Sequence, residues 1–167
     1  MSDKKIAPTE NFEAVYYKFH DKIKRQIIYN AEPQYVDDIS QEVFLKIYKN
    51  IDKFKNDSSF ETWIYKITLN TCYDFLRKKQ RNFRLLSVAK ENLSTASSRN
   101  AVDAKIDLQE AVLKLDKLTR PVFTLYYFSE LKIDAISSIL DIPSGTVKSR
   151  LNKARNQIKE HFNMEDL

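Results

Sequence analysis

The stretch PSGTVKSRLNKAR, residues 143–155, contains the only glycine in the chain and decides the fold of the C-terminal half. Val147, Leu151 and Ala154 recur at helical spacing, so one side of a predicted helix over residues 144–159 faces a core. No acidic residue occurs in that helix, whereas surface helices normally mix both signs of charge. Basic and small polar side chains on its outer face are typical of a helix that enters a DNA major groove, although a solvated basic helix would show the same charge.

A second short amphipathic segment directly precedes this helix. Residues 131–140 carry isoleucines at helical spacing, and Asp-Ile-Pro at 141–143 ends the pattern. Two short helices joined by a tight turn, the second of them basic, form a helix-turn-helix. Apolar runs at 108–115 and 122–128 predict two more helices. Residues 107–162 are therefore predicted to form a compact four-helix DNA-binding unit.

Residues 131–151 resemble region four of bacterial sigma factors of the extracytoplasmic-function type, whose pattern is LSYEEIAxxLGIPxGTVKSRL. The two align without a gap and agree at every specified position from Ile142 to Leu151. Lys132 and Asp141 depart from the pattern, but both lie outside the basic helix. The resemblance implies that this helix contacts the minus-thirty-five promoter element through Ser144, Thr146, Lys148, Ser149, Arg150, Asn152, Lys153 and Arg155.

The N-terminal half contains an amphipathic helix with an acidic entry. Residues 37–54 predict this helix and its exit, and acidic residues near a helix N-terminus are partly explained by the helix dipole. The order DISQEVF at residues 38–44 also resembles the DLxQExF motif of sigma region two, which docks on the clamp helices of core RNA polymerase. The resemblance implies a core-binding surface made of Asp37, Asp38, Gln41, Glu42 and Phe44.

A loop and a long helix over residues 60–79 follow. The line FETWIYKI through Asn70 resembles the family pattern FxTWLYxIAxN, and Asp74 with Arg77 matches its later DxxR. The helix ends in RKKQRNFR, residues 77–84, where five of eight residues are basic and none is acidic. That excess is larger than a helix dipole explains, and it predicts a patch that binds the phosphates of one promoter strand.

In the family, this region captures an unstacked base of the nontemplate strand. Capture requires an amide for the base edge, an aromatic side chain to pack on the base and cations for the backbone. The resemblance assigns the first two roles to Asn70 and Phe54; the alternative is a helix-packing amide and an ordinary loop anchor. The whole surface implied for the minus-ten element comprises Phe54, Lys55, Asn56, Trp63, Lys66, Asn70, Asp74, Arg77, Lys78, Lys79 and Arg81.

The composition agrees with an all-α protein built from two small helical domains. One glycine and four prolines in 167 residues are too few for a chain rich in β-turns, and a net charge of +5 favours a polyanionic partner. The single cysteine, Cys72, excludes an internal disulfide, and His20 and His161 lie far apart in sequence. We therefore expect no metal, no cofactor and no enzymatic activity.

The pattern divides the chain into five segments. Residues 1–10 are predicted to be disordered, 11–84 to form the region-two domain, 85–106 a linker rich in Ser, Asn and Ala, 107–162 the region-four domain, and 163–167 a tail. The first helix is expected at residues 11–29. The absence of a signal peptide and of a transmembrane run predicts a cytoplasmic protein without membrane insertion.

From these motifs the chain is identified as a member of the extracytoplasmic-function sigma factors. The resemblance implies a protein that binds the clamp helices and flap of core RNA polymerase, directs the polymerase to specific promoters and promotes strand opening. The resemblance also allows an anti-sigma factor as a partner. The alternative is a stand-alone helix-turn-helix regulator that binds duplex DNA without polymerase. Residues 37–84 favour the sigma factor, because such a regulator would not require their docking and base-capture motifs.

Overall fold

The computed structural model describes residues 12–55, 57–87 and 104–162, and all their side chains except those of residues 83–87 and 104–107. Within these ranges all regular secondary structure is helical, which confirms the predicted all-α class. The α-helices are α1 (Phe12–Asn30), α2 (Val36–Asn50), α3 (Phe60–Ser87), α4 (Ala104–Lys114), α5 (Arg120–Tyr127), α6 (Ile133–Leu140) and α7 (Ser144–Phe162). Short 3-10 turns, Pro33–Tyr35 and Ile51–Lys53, flank α2.

Helices α1, α2 and α3 form the N-terminal domain, whose core is built from one apolar stripe of each helix. The buried side chains are Val15, Phe19, Ile23 and Ile27 of α1, Ile39, Val43 and Ile47 of α2, and Ile64 and Cys72 of α3. Burial of each large aliphatic or aromatic side chain stabilises the fold by about 1.5–3 kcal/mol. These residues recur at helical spacing in the sequence, so each helix turns one apolar side toward the core.

Helix α3 is longer than the sequence pattern predicted. It continues past residue 79 to Ser87, and therefore past the expected domain boundary at residue 84. No glycine or proline interrupts it, and the Lys79 ammonium lies over the rings of Tyr35 and Phe75 at 5.1 and 5.5 Å. Of the expected linker, residues 88–103 lie outside the described ranges, as do the expected disordered segment 1–10 and tail 163–167.

Helices α4 to α7 form the C-terminal domain, and α6 with α7 is the predicted helix-turn-helix. Asp141 ends α6 in the left-handed conformation (φ 54°), with its N–H bonded to the Ser137 carbonyl, as aspartate can do where glycine is more usual. The stripe Val147, Leu151, Ala154 and Ile158 of α7 is buried, as its spacing predicted. The opposite face of α7 is therefore left to solvent.

The two domains pack against each other through a buried polar contact. Gln26 of α1 is fully buried, and its amide donates to the Thr124 carbonyl (3.1 Å) and the Ser129 hydroxyl (2.8 Å) of the C-terminal domain. The Thr124 hydroxyl donates back to Gln26 Oε1 at 3.1 Å. Asn30 holds Gln26 from the next turn of α1, donating to its backbone carbonyl at 2.8 Å. The contact therefore satisfies both ends of a buried amide.

An apolar cluster extends this contact along α3. Tyr65 and Leu69, each about 1% exposed, share a core with residues of the C-terminal domain: Val122, Leu125, Ile136, Ile139, Val147 and Leu151. Burial raises the pKa of Tyr65, whose hydroxyl bonds to Ser129. Tyr65 and Leu69 lie off the face of α3 that packs on α1 and α2. Helix α3 thus contributes to both domain cores.

Candidate nucleic-acid and partner interfaces

A groove of about 320 Å³ lies between α2 and α3. Its residues come from the last turns of α2, the following 3-10 turn and the middle of α3: Lys46, Asn50, Lys53, Trp63, Ile67, Asn70 and Thr71. The groove brings together two residues of the surface implied for the minus-ten element, Trp63 and Asn70. Its size falls at the lower end of the range for small-molecule sites, and its lining combines an aromatic wall, amides and cations.

The aromatic side of the groove is Trp63, not Phe54. Phe54 is only 9% exposed and packs against Phe60 and Trp63, with ring centroids 5.2 and 5.4 Å apart. Trp63 is half-buried and lines the groove. The ring of Phe54 is therefore less accessible than its assigned role suggests, because it belongs to the core formed by α1, α2 and α3 and packs against Trp63. Lys55 next to it is exposed, and Asn56 lies outside the described residues.

The polar side of the groove includes residues that the sequence motifs did not single out. Asn70 is exposed, as expected of an amide that meets a base edge. Asn50 donates from Nδ2 to the Lys46 carbonyl at 2.8 Å, and Lys46 donates from Nζ to the Thr71 hydroxyl at 3.2 Å. Lys46, Asn50 and Lys53 are spaced by four and then three residues. Side chains at this spacing lie on one face of a helix, so the sequence could have grouped these three residues.

The basic end of α3 carries cations that are mostly exposed. Arg77 makes an ion pair with Asp74 (3.6 Å), and Lys78 lies 4.0 Å from Glu42 of α2. Arg81 is exposed, and the side chain of Arg84 lies outside the described part. Exposed ion pairs of this kind stabilise the fold little, so the cations remain available to phosphates.

Lys66 has a different environment from the other predicted minus-ten residues. Its ammonium donates to the Ser138 carbonyl of α6 at 3.4 Å, so it lies at the contact between the two domains. The side chain is nevertheless exposed.

The acidic start of α2 presents the residues predicted to dock on polymerase. Asp38 and Gln41 are exposed. Asp37 makes an ion pair with Lys24 of α1 (3.2 Å), and Glu42 makes one with Lys46 (3.3 Å). Asp38 and Gln41 are therefore freer to meet a partner than the two paired carboxylates.

Phe44 lies deeper than the rest of that surface. It is 7% exposed, and its ring packs on Tyr16 with centroids 4.6 Å apart. It forms the floor of a second groove, of about 580 Å³, between α1 and α2. Motif matching missed the exposed apolar residues around this groove, Leu45 and Tyr48, which are 57% and 61% exposed. Exposed aromatic side chains beside acidic ones are typical of a protein-binding surface.

The outer face of α7 is exposed where the sequence predicted base and phosphate contacts. Lys148, Ser149 and Asn152 are exposed and lie within one turn of each other. Thr146 accepts a hydrogen bond at its carbonyl from the Ser149 hydroxyl (3.0 Å). Ser144 is half-buried, because its hydroxyl donates to Asp134 of α6 at 3.0 Å. These contacts orient the first turn of α7 on α6.

The remaining cations of α7 are held by neighbouring groups. Lys153 bonds to Asp116 at 2.9 Å, and this hydrogen bond lowers the pKa of the Asp116 carboxyl to about 2. Arg155 Nε donates to the Tyr127 hydroxyl at 2.7 Å. Arg150 is half-buried. Lys153 and Arg155 are thus positioned by groups of the same domain, whereas Lys148 is exposed.

The described residues show little that is suited to metal or redox chemistry. Among them, no three His, Cys, Asp or Glu side chains come close enough to hold a metal ion. Burial raises the pKa of the Cys72 thiol to about 12, so it stays protonated and weakly nucleophilic. In the same part of the chain, no helix has the length and hydropathy needed to cross a membrane.

Comparison with known proteins places these surfaces in one class. The family model Sigma-70 region 2 matches residues 20–82, and Sigma-70, region 4 matches residues 105–158. The ECF RNA polymerase sigma factor SigW of Bacillus subtilis (strain 168) is 34% identical over 139 residues, which cover 75% of this chain and 74% of that protein. The ECF RNA polymerase sigma-E factor of Escherichia coli (strain K12) is 27% identical over 160 residues, covering 88% and 84%.

Two solved structures share the fold. One is the sigma factor RpoE in complex with the anti-sigma factor NepR from Bartonella quintana, with a TM-score of 0.79, 20% identity, and coverage of 93% of this chain and 98% of that one. The other is CnrH in complex with the cytosolic domain of CnrY, with a TM-score of 0.67, 18% identity and coverage of 96% and 94%.

The fold and surfaces define a two-domain, DNA-binding transcription initiation factor. The chain belongs to the extracytoplasmic-function sigma factors of bacterial RNA polymerase. It is therefore an alternative sigma factor, which binds core polymerase and directs it to promoters, and it is not an enzyme. The predicted family, fold class and function are confirmed, and the stand-alone regulator is not favoured.

Proposed function

We propose that the chain divides initiation among three surfaces. The exposed residues of α2 dock on the clamp helices of core polymerase, the groove between α2 and α3 captures a base of the nontemplate strand, and the outer face of α7 reads the minus-thirty-five element. We retain two domains at 11–84 and 107–162 joined by a linker within 85–106, with α3 extending into that segment to Ser87 and α4 beginning in it at Ala104. The observation that carries this proposal is the groove, because it joins Trp63 and Asn70 with the cations Lys46 and Lys53 in one lining.

The groove supplies each of the three groups that base capture needs. Trp63 offers a ring face, Asn70 an exposed amide, and Lys53 with the α3 cations the positive charge for phosphates. Extraction of a base costs a few kcal/mol, and stacking on an aromatic side chain returns roughly 1–3 kcal/mol. The balance is close, so capture requires the contacts to the strand and to polymerase to act together.

The groove is tested by Asn70→Ala in the assembled holoenzyme. We expect normal core binding and normal binding of the upstream element, but fewer open complexes, because one hydrogen bond to the captured base is lost, at about 0.5–1.5 kcal/mol. Permanganate footprinting of melted thymines measures the yield. Asn82→Ala is the matched control, since it removes an exposed amide of the same helix outside the groove. A wild-type open-complex yield in Asn70→Ala would contradict the assignment.

The docking surface is tested by Asp38→Lys together with Gln41→Ala. Both side chains are exposed and make no hydrogen bond or ion pair with the rest of the described chain, so the fold should not change and circular dichroism should match the wild type. We expect loss of co-purification with core polymerase. Glu160→Lys, a charge reversal at an exposed position of α7, is the control and should bind core normally. Core binding at normal affinity in the double variant would exclude this surface.

We further propose a cytoplasmic location, where core polymerase and promoter DNA are, and an anti-sigma factor as a partner. One structural neighbour is a sigma factor bound to the anti-sigma factor NepR, and the other is CnrH bound to the cytosolic domain of CnrY. The aromatic groove between α1 and α2, with exposed Leu45 and Tyr48, supports a protein partner at this face. Competition binding between core polymerase and such a partner, measured for wild-type protein and for Tyr48→Ala, would test this assignment. It would show whether core polymerase and the anti-sigma factor bind the same surface.

A further inference from the structure

We propose that Tyr127 of α5 and Arg155 of α7 together bind one backbone phosphate of duplex DNA beside the minus-thirty-five element. The proposal rests on the assignment of the outer face of α7 to that element. It adds Tyr127, a residue outside the helix-turn-helix that no sequence motif singled out. Phosphate contacts in protein–DNA complexes come from arginine and from hydroxyl side chains, and they set the position of the protein on the duplex.

Neighbouring side chains hold the Arg155 guanidinium in place. Its Nε donates to the Tyr127 hydroxyl at 2.7 Å, and its central carbon lies 5.6 Å from the ring centroid of Tyr126 and 5.7 Å from that of Tyr127. A guanidinium is attracted to the electron-rich faces of aromatic rings. A long side chain loses conformational freedom when it binds a ligand, and these contacts remove part of that freedom before DNA binds.

Most hydrogen-bond donors of this pair are left for a ligand. Arginine carries five N–H donors, and within the described part of the chain Arg155 uses only the one on Nε. In those same ranges Arg155 makes no ion pair, whereas Lys153 of the same helix lies 2.9 Å from Asp116. The Tyr127 hydroxyl accepts from Arg155 and donates to no described residue, so its hydrogen is also available. The two side chains can therefore offer N–H and O–H donors to one anion.

Packing fixes the Tyr127 ring beside Arg155. Its ring centroid lies 4.6 Å from that of Phe123, which is only 6% exposed, and 5.0 Å from that of Tyr126. Tyr127 itself is 42% exposed. One side of the ring thus packs on the core of the C-terminal domain while the residue remains accessible to solvent. A tyrosine with an apolar body in contact with the core and a polar tip is well suited to an interface.

The position of Arg155 along α7 favours a phosphate over a base. Lys148, Asn152 and Arg155 are spaced by four and then three residues, so they lie on one face, and all three are exposed. The N-terminal residues of a recognition helix contact base edges. Arg155 lies about 10 Å further along the helix axis than Lys148. Because the major groove is only about 12 Å wide, this displacement carries the side chain toward the phosphates at the groove edge.

The experiment neutralises single phosphates of the DNA. Holoenzyme with the full chain binds duplex promoter fragments in which each phosphate flanking the minus-thirty-five element is replaced, one at a time, by an uncharged methylphosphonate. We expect Tyr127→Phe to bind the unmodified duplex about 2- to 13-fold more weakly, the range for one net hydrogen bond, and to do so for all promoters alike. At one phosphate, methylphosphonate should weaken the wild type but have a smaller effect on Tyr127→Phe and on Arg155→Ala.

A matched control and two further outcomes make the test specific. Tyr126→Phe also removes a hydroxyl beside the Arg155 guanidinium, but one that makes no hydrogen bond in the described ranges, so it should respond to each methylphosphonate as the wild type does. A defect of the fold would weaken binding without changing the response at one phosphate, and that result would overturn the proposal.

The proposal can also fail separately from the function on which it rests. If Lys148→Ala combined with Asn152→Ala leaves duplex binding unchanged, the assignment of α7 to the duplex fails. If that double variant weakens binding but Tyr127→Phe responds to every methylphosphonate as the wild type does, α7 keeps its role and the phosphate site at Tyr127 is excluded.

Discussion

The outer face of α7 and the groove between α2 and α3 are both assigned to DNA, but they are built differently. The face of α7 is convex and comes from one helix: Lys148, Ser149 and Asn152 are exposed and lie within about one turn. The groove is concave and needs two helices, with Asn50 from α2 and Trp63 with Asn70 from α3. A convex surface suits a duplex groove, and a concave one suits a base removed from the stack.

This difference determines which of the two surfaces can be predicted from the sequence. A one-helix surface follows from period alone, since the residues opposite the buried stripe are exposed. A two-helix groove depends on how the helices pair, and the pairing determines which aromatic ring remains accessible. Phe54 and Trp63 are both near the groove, yet the core takes the ring of Phe54 and leaves that of Trp63 at the surface.

The largest effect is expected from Lys148→Ala combined with Asn152→Ala. Loss of the Asn152 amide as a base reader should weaken duplex binding by about 1–3 kcal/mol and relax promoter preference at one position. Loss of the phosphate contact should weaken all promoters alike and make the slope of log K against log salt shallower by about 0.9. Holoenzyme binding to duplex upstream elements across a salt series measures both. Lys117→Ala, an exposed cation of the turn after α4, should leave both unchanged.

That variant also tests the comparison itself. Because α7 is assigned to duplex DNA, the defect should persist on a promoter that is already melted downstream. If instead a premelted template restored normal binding, α7 would be acting in strand opening, and the division between the two surfaces would be wrong.

A somewhat smaller effect is expected from Gln26→Ala, which tests whether the two surfaces belong to one rigid body. With the domains together, the Thr124 carbonyl and the Ser129 hydroxyl would lose their partner, at a cost of about 1–3 kcal/mol to the packed arrangement. We expect the domains to separate more often. Dyes attached through Asp52→Cys and Lys117→Cys, both at exposed positions, would report a longer distance, because buried Cys72 does not compete for labelling.

The matched control for this measurement is Gln34→Ala. Gln34 is exposed and bonds only to Glu32 of its own domain (2.8 Å). Its removal should leave the distance distribution as in the wild type. An unchanged distribution in Gln26→Ala as well would mean that the apolar cluster of Tyr65 and Leu69 suffices to hold the domains together.

Gly145→Ala should affect stability and DNA binding in opposite directions. A Cβ at Gly145 would meet nothing within 4 Å, and its φ does not lie in the left-handed region, so the fold tolerates alanine. We expect the free energy of unfolding to rise by about 0.4–1 kcal/mol. If the start of α7 approaches DNA closely, binding of the upstream duplex should weaken despite the more stable fold. Stronger or equal binding would show that this glycine serves no DNA contact.

The smallest effect concerns the ion pair that holds Lys153. The hydrogen bond from Lys153 lowers the pKa of Asp116 from 3.8 to about 2, with help from the backbone N–H groups of Thr119 and Leu118. A carboxyl whose pKa is lower in the folded state than in the unfolded state stabilises the fold at any pH above its unfolded pKa. That contribution is lost as the pH falls through the folded pKa. Denaturant unfolding should therefore show a small stability loss between about pH 4 and pH 2 that Asp116→Asn abolishes.

At neutral pH the same variant asks whether the fold or DNA determines the position of Lys153. Asp116→Asn should leave duplex binding unchanged or slightly stronger, because an ammonium released from its carboxylate is free for a phosphate. Weaker binding would show that the ion pair orients Lys153 for the duplex.

Much of the fold followed from residue order. The apolar stripe of α7, the turn at residues 141–143 and the two helical domains were all predicted, as was the family from DISQEVF and PSGTVKSRL. The end of α3 was not, because helix propensity continues past residue 79 without a glycine or proline to stop it. Among the site residues, the exposed ones on a single helix lie where the pattern predicted, whereas Phe54 and Phe44 lie deeper than their assigned roles suggested.

The sequence by itself determined which segments are helices, which face of each is buried, and that the chain is a sigma factor. These properties depend on spacings of three and four residues and on contiguous motifs, which are local. Tertiary structure alone decided that Trp63 and Asn50 line one groove, and that Gln26 meets Thr124, 98 residues away. The reason is that a buried amide or a groove wall depends on which side chains meet, and residue spacing along one helix carries no information about the helix that packs on it.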